Sequence, residues 1–218
     1  MQDRNQRKKN IFLDKKTQNM KMKKIILFLS ILSTSVISYS QNIHIQKGTN
    51  LIYEVGDNNY LFKVHFTEVS KTVSFTWEMT NKNMSKGTIT ISENALANCN
   101  KYVNYLRSGD LNLDDASSVI MSNINFKELL QKKETQMSHL KNENLVSWKL
   151  FENESQAMHP EIMINGKLTP ITLLVSGYKD EGGIDYLVAT TSDCNLHLIV
   201  YMDLGFTIKL KEVENKIE

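Results

Sequence analysis

The most regular pattern along the chain is an alternation of apolar and polar residues between Tyr60 and Thr80, broken once at Ser70 and Lys71. Every second residue on either side of this break is apolar: Tyr60, Phe62, Val64, Phe66, Val73, Phe75, Trp77 and Met79. A period of two places alternate side chains on opposite faces of a sheet. The pattern therefore predicts a β-hairpin with a mixed-to-polar face and an aromatic-rich face, and a second sheet, a helix or a ligand must cover the aromatic face.

Shorter runs with the same period lie on both sides of the hairpin, at Leu51–Val55 and Thr88–Ile91. Their connections are too short for parallel crossovers, so residues 51–91 are predicted to form an antiparallel meander. Strand-like runs return in the C-terminal half, where Asn165-Gly166 is a typical hairpin dipeptide. These later runs are Val146–Leu150, Ile162–Ile164, Leu168–Val175, Ile184–Thr190, Leu196–Met202 and Phe206–Leu210.

The period changes to that of a helix between the two groups of strands. Four residues fall on one apolar helical face: Leu96, Cys99, Val103 and Leu106. Ser92 suits the N-cap and Gly109 the position after the last turn, so we predict a helix over Ser92–Arg107. We predict a second helix over Asn125–Lys133, with Asn125 as its N-cap. The predicted fold is mainly β (α+β): an antiparallel meander sheet forming a half-barrel or open barrel, with two inserted helices.

The first 40 residues have the order of a secretory signal peptide. A basic stretch, Met1–Lys24, precedes an apolar run, Ile25–Ile37, and the small residues Ser38 and Ser40 follow. The apolar run has about 13 residues, whereas a membrane-spanning helix needs about 20. We therefore expect a leader with a cleavable signal peptide over residues 1–40 and one exported domain over residues 41–218, periplasmic or secreted, with no stable membrane span. An uncleaved N-terminal anchor is the alternative.

Removing the leader reverses the sign of the net charge. The chain has 26 basic and 24 acidic residues, of which nine and two lie in residues 1–40, so the remainder has 17 against 22 and a net charge of −5. Nucleic-acid binding requires a basic face, so this balance argues against a nucleic-acid partner.

Cys99 and Cys194 are the only cysteines. Export would place them where disulfides form, and a bond between them would close a long loop. The alternative is a free Cys99 that packs as a small hydrophobe on the helix face.

No motif for catalysis, a metal or a cofactor stands out. The five histidines lack metal-ligand spacing, and a site formed by Asp193, Cys194 and His197 is less favoured than a turn aspartate beside an unrelated strand histidine. His65 projects from the polar face of the hairpin, where exposure to solvent is the default. The sequence therefore predicts no cofactor and favours a non-enzymatic protein over an enzyme such as a hydrolase.

Several short stretches are similar to those of a class of exported, β-rich bacterial proteins of uncharacterised function. They are the lysine-rich leader ending in Ser-Gln, Leu51–Val55, Phe75–Met79, Asp114–Ser117 and the closing Met202–Phe206 run into Leu210–Glu212. The resemblance covers residues 48–212. It implies an exported antiparallel half-barrel or lipocalin-like shape, without implying an activity or site residues.

These features give two expectations for function. The leading one is a domain that binds a lipid or another apolar or amphipathic small molecule, with Phe62, Phe66, Phe75 and Trp77 lining the site. The alternative is a structural or protein-interaction domain without a pocket, in which the same side chains pack against the rest of the core.

Overall fold

The computed structural model describes residues 43–56, 60–80, 85–103, 108–139, 142–153, 160–183 and 185–215. These residues belong to one compact unit, Ser40–Glu218. The predicted leader lies outside the described residues. Within them, no helix is both long and apolar enough to cross a membrane.

The described residues form fifteen strands and two short helices. The strands are β1 Asn50–Val55, β2 Tyr60–Val69, β3 Val73–Met79, β4 Lys86–Ile91, β5 Lys101–Tyr102, β6 Gly109–Leu113, β7 Ala116–Ser117, β8 Glu134–His139, β9 Asn142–Leu150, β10 Glu161–Ile164, β11 Lys167–Pro170, β12 Leu173–Lys179, β13 Asp185–Thr191, β14 Ile199–Asp203 and β15 Thr207–Glu214. The helices are α1 Glu93–Asn98 and α2 Asn123–Lys132.

Thirteen strands follow one continuous path, in the order β6-β4-β3-β2-β1-β15-β14-β13-β12-β9-β8-β5-β7, and the β10–β11 hairpin joins through β15. Most neighbours are antiparallel, but four pairs are parallel: β4–β6, β5–β7, β5–β8 and β10–β15. The sheet curls into a nearly closed, barrel-like form with one seam. This confirms the predicted mainly β, open-barrel fold with two inserted helices.

The N-terminal meander is confirmed in its pairing and its faces. In the central hairpin Val64 lies opposite Trp77 and Phe66 opposite Phe75. Most inward side chains of β2 and β3 are buried, with Tyr60 and Met79 half-buried at the strand ends, whereas Glu78 and Thr76 face outward and are exposed. The alternation therefore divides these strands into a core face and a solvent face, as a period of two requires.

The first predicted helix is wrong in length. Ser92 caps α1, since its Oγ accepts a hydrogen bond from the Ala95 N–H at 3.2 Å, but the helix ends after six residues. Cys99 is already extended, and β5 follows, where Tyr102 is buried. Pairing of β5 with both β7 and β8 prevails over weak helix propensity in this polar stretch. The last predicted residues, 104–107, lie outside the described residues.

The second helix lies close to its predicted position, with a different cap. Ser122 is the N-cap of α2, and its Oγ accepts from the Asn125 N–H at 3.4 Å. Asn125 is instead completely buried in the first turn. The helix ends at Lys133, whose left-handed φ of 62° stops the helical ladder.

Apolar side chains form two core clusters, and strands β12–β14 separate them. Val175 and Ala189 point into the first cluster, which also holds the inner face of the meander. Val188 and Met202 point into the second, which packs against α2, β8 and β9. Strands β12–β14 are therefore buried on both faces, whereas the meander has one face free.

Candidate functional site

The four predicted ligand-binding residues lie together on the inner face of the hairpin. Phe66 and Phe75 pack edge to face with ring centroids 5.6 Å apart, and Phe62 and Trp77 are tilted with centroids 6.1 Å apart. Their exposed fractions are 4% for Phe62, 0% for Phe66 and Phe75, and 3% for Trp77. All four belong to the first core cluster, so a ligand could contact their faces only if the core opened.

A small cavity lies in the second core cluster. Its walls include Trp148 and three methionines, Met121, Met137 and Met202, and its volume is about 10 Å³. That volume is about one water-sized sphere. Flexible methionine side chains pack well around such gaps, so the cavity is consistent with ordinary core packing.

A much wider recess, of about 1040 Å³, lies on the opposite, solvent face of the meander. We call it the outer groove. It is lined by the outward-facing side chains Asn50, Ile52, Lys63, His65, Thr76, Glu78, Lys86 and Thr88, together with Ser108 and Glu214. Most of these side chains are polar or charged, because they are the residues that alternate with the core positions of the same strands.

Strand register places one polar row across six strands of this face. From β15 to β6 the row is Glu214, Asn50, His65, Thr76, Thr88 and Asp110. Neighbouring members are direct cross-strand partners, whose side chains lie close enough to interact.

Three members of this row are hydrogen-bonded in series. The side-chain nitrogen of Asn50 donates to Glu214 Oε2 at 3.2 Å. This hydrogen bond turns the Oδ1 atom of Asn50 towards His65. His65 Nδ1 lies 2.7 Å from that oxygen. An amide oxygen only accepts, so this geometry places the proton of the neutral imidazole on Nδ1 and leaves Nε2 as an acceptor. His65 is thus half-buried and held in orientation, rather than free in solvent as the sequence suggested.

The next row of the outer groove carries both signs of charge. Lys63 Nζ lies 3.3 Å from Glu78 Oε1, and Lys86 is the cross-strand partner of Glu78. The side chains of Lys63 and Glu78 are 43% and 57% exposed. An ion pair this exposed contributes only about 0–1 kcal/mol, so exchanging it for contacts with a partner costs little.

The two cysteines are free thiols in the structure. Burial raises the pKa of each to about 11. Hydrogen bonds act in the opposite direction, from backbone and side chains at Cys99 and from the backbone alone at Cys194. A thiol needs its thiolate form to act as a nucleophile, so neither environment activates the sulfur.

The residues of the less favoured metal site have separate partners. Asp193 Oδ2 accepts from the Thr172 N–H at 2.9 Å, and Cys194 Sγ lies 3.6 Å from Asn195 Oδ1. The His197 ring stacks on Phe126. Among the residues that the structure describes, no group of three or more His, Cys, Asp or Glu side chains is placed to hold a metal ion.

Sequence reasoning did not find the outer groove. It placed Lys63, His65 and Glu78 on the polar face, but Asn50 and Glu214 lie 164 positions apart and meet only because β1 pairs with β15. No local sequence pattern predicts that pairing. Comparisons with protein-family models, curated proteins and solved structures found no significant match for this chain.

Proposed function

We propose that residues 41–218 act as an exported, non-enzymatic binding domain that contacts a polar partner through the outer groove. The observation that carries this proposal is the contrast between the two faces of the meander. Phe62, Phe66, Phe75 and Trp77 pack on one another with at most 4% exposed, whereas the opposite face has an open, polar recess. This contrast favours the interaction domain over a carrier of apolar molecules.

The outer groove suits recognition because its polar groups are held on paired strands. His65 is oriented by Asn50, and Asn50 by Glu214, so these groups lose little conformational freedom when a partner binds. Charges of both signs allow hydrogen bonds and ion pairs with a polypeptide surface. Export rests on the leader, whose basic, apolar and small-residue segments follow the order of a signal peptide.

Site-specific photo-crosslinking in the native host would test the groove. A photoreactive residue at Thr76, in the middle of the groove, should give an adduct of one defined mass. The adduct should disappear when Lys63→Glu and His65→Ala are added, and it should be absent when the photoreactive residue replaces Lys167, an exposed position on β11. Adducts that are equal at both positions would contradict the proposal.

Native mass spectrometry of the protein purified from its host distinguishes the two expectations for function. We expect no mass loss after organic extraction and no change in Trp77 emission. An apolar passenger whose removal shifts Trp77 emission would overturn the surface-binding proposal in favour of a carrier that opens its core.

A further inference from the structure

Strand β6 is one end of the sheet path and has a partner on one side only. It runs parallel to β4, from Gly87 opposite Gly109 to Ile91 opposite Leu113. Across the described ranges of the chain, no strand pairs with its other side. Its first four residues, 109–112, are exposed to solvent. Such an edge presents unpaired backbone groups that can accept another strand.

The hydrogen-bond pattern shows which backbone groups face the free side. The Ser92 N–H donates to the Leu113 carbonyl at 2.9 Å, so the backbone of Leu113 faces β4. Backbone direction alternates along a strand in a parallel ladder, so Leu111 also faces β4. Asp110 and Asn112 therefore direct their N–H and C=O groups to the free side.

The edge of β6 differs from that of β11, another exposed edge among the described residues. That strand carries Lys167 and Pro170, and both residue types hinder strand addition. Strand β6 contains neither. At its start, β6 also lies very close to β4. A Cβ on Gly87 of β4 would collide with the Gly109 carbonyl oxygen of β6, so only glycine at position 87 allows this approach.

The side chains around this edge define the chemistry of an added strand. On the inner face Leu111 is 37% exposed, although Leu113 beside it is buried. On the outer face and in the following turn, Asp110, Asp114 and Asp115 are exposed, and among the described residues none of them forms a salt bridge. Residues 108–122 contain no lysine or arginine. An added strand would cover Leu111 with an apolar side chain and face Asp110 with a basic one.

We propose that the free edge of β6 binds an extended segment of a partner protein, in which basic and apolar residues alternate, as an added strand. The polar row of the outer groove ends at Asp110, so the added strand would continue that row. A second copy of β6 fits poorly, because pairing would bring the aspartates of the two copies together. The strand-addition site would serve the partner binding proposed above, and rests on it.

A synthetic probe tests the edge directly with the mature protein. The probe is a capped, fluorescent peptide of about eight residues that alternates lysine and valine, and the control alternates glutamate and valine. We expect the lysine peptide to bind with higher affinity, and its binding to protect the Asp110 and Asn112 amides from hydrogen exchange. The same peptide N-methylated at every residue should not bind, because it has no N–H groups along the strand to donate to β6.

Two variants localise the binding. Asn112→Pro removes an N–H on the free side, where proline is tolerated, and should weaken lysine-peptide binding roughly tenfold or more. Asn112→Thr keeps that N–H and should bind as the parent does. Asp110→Lys should reverse the preference towards the glutamate peptide, which tests the site even where Asn112→Pro fails to fold.

Any of three results would overturn the strand-addition site. They are equal binding of the two peptides, unchanged binding by Asn112→Pro, and a dimer formed through β6. These results are distinguishable from failure of the proposed function. The photo-crosslink at Thr76 and the search for an apolar passenger report on the outer groove and the core, and neither uses the free edge of β6.

Discussion

The imidazole of His197 lies flat on the ring of Phe126, with ring centroids 3.7 Å apart and planes 7° apart. Phe126 is in α2, and His197 comes shortly before β14, so the contact fastens the helix to the sheet. His197 Nδ1 is buried and has no hydrogen-bond partner among the described residues. Burial therefore lowers the pKa of His197 below its usual value, because the charged ring would be poorly solvated.

We expect His197 to destabilise the fold in mild acid. Because the pKa of His197 is lower in the folded protein, the unfolded chain binds a proton more readily. The stability that depends on a neutral His197 is therefore complete above the unfolded pKa of about 6.5 and is lost as the pH falls towards the folded pKa. Urea melts at about pH 7.5 and about pH 5 measure this loss. Between the two pH values, the free energy of unfolding should fall less in His197→Asn than in the parent protein. His44→Gln, at an exposed position, should lose as much as the parent. Identical losses for both variants would contradict the assignment.

Replacing Trp77 should cost far more than replacing its neighbour. Trp77 is 3% exposed, and Trp77→Ala should lower the free energy of unfolding by roughly 3–5 kcal/mol, as for other buried aromatics. Glu78→Ala on the opposite face should change it by no more than about 0.5 kcal/mol. Denaturant melts measure both, and equal costs would mean that the two faces of β3 are wrongly assigned.

Gly87 should tolerate no side chain. A Cβ at this position would meet the Gly109 carbonyl oxygen, which belongs to backbone and cannot rotate away. Gly87→Ala should therefore displace β6, cost about 1–3 kcal/mol and speed hydrogen exchange along β6. Gly182→Ala is a matched control, because the nearest atom to its Cβ is Asp180 Oδ1 at 3.3 Å, at the end of a half-buried side chain that can shift, rather than on the backbone. A harmless Gly87→Ala would show that β6 does not approach β4 this closely.

Asn125 should be the polar residue that holds α2 in place. Its Oδ1 accepts from the Tyr102 hydroxyl at 2.9 Å, and its amide nitrogen donates to Thr135 Oγ1 at 2.8 Å. Asn125→Ala would leave buried polar groups with fewer partners and should cost about 1–3 kcal/mol in thermal or denaturant unfolding. Asn123→Ala, two residues earlier and exposed, should cost no more than about 0.5 kcal/mol. The prediction fails if the two variants unfold alike.

The leader should be removed after Ser40. Ser38 and Ser40 occupy the two small-residue positions that precede a signal-peptide cleavage site. N-terminal sequencing or mass spectrometry of the exported protein should therefore find a chain that begins at or near Gln41. Recovery of the full-length chain from the inner membrane would instead indicate an uncleaved anchor.

The parts of this fold that sequence could predict are those with a local cause. The alternation around Trp77 determines which side chains of the hairpin are buried, because each strand needs one face in the core. The length of the first helix could not be predicted, because the chain leaves the helix at Cys99 to pair β5 with strands that come later. The Asn50–Glu214 contact was beyond prediction for the same reason.

The pairing of β1 with β15 has a consequence for how the chain folds. Residues near both ends of the domain must meet before β1 has neighbours on both sides. Contacts between positions so distant close a long loop, which slows folding. During synthesis or N-terminus-first translocation, β1–β4 would emerge as a hairpin array whose β1 edge stays open until the last strand arrives. We therefore expect refolding to be slow, and chains truncated before β15 to aggregate through that open edge.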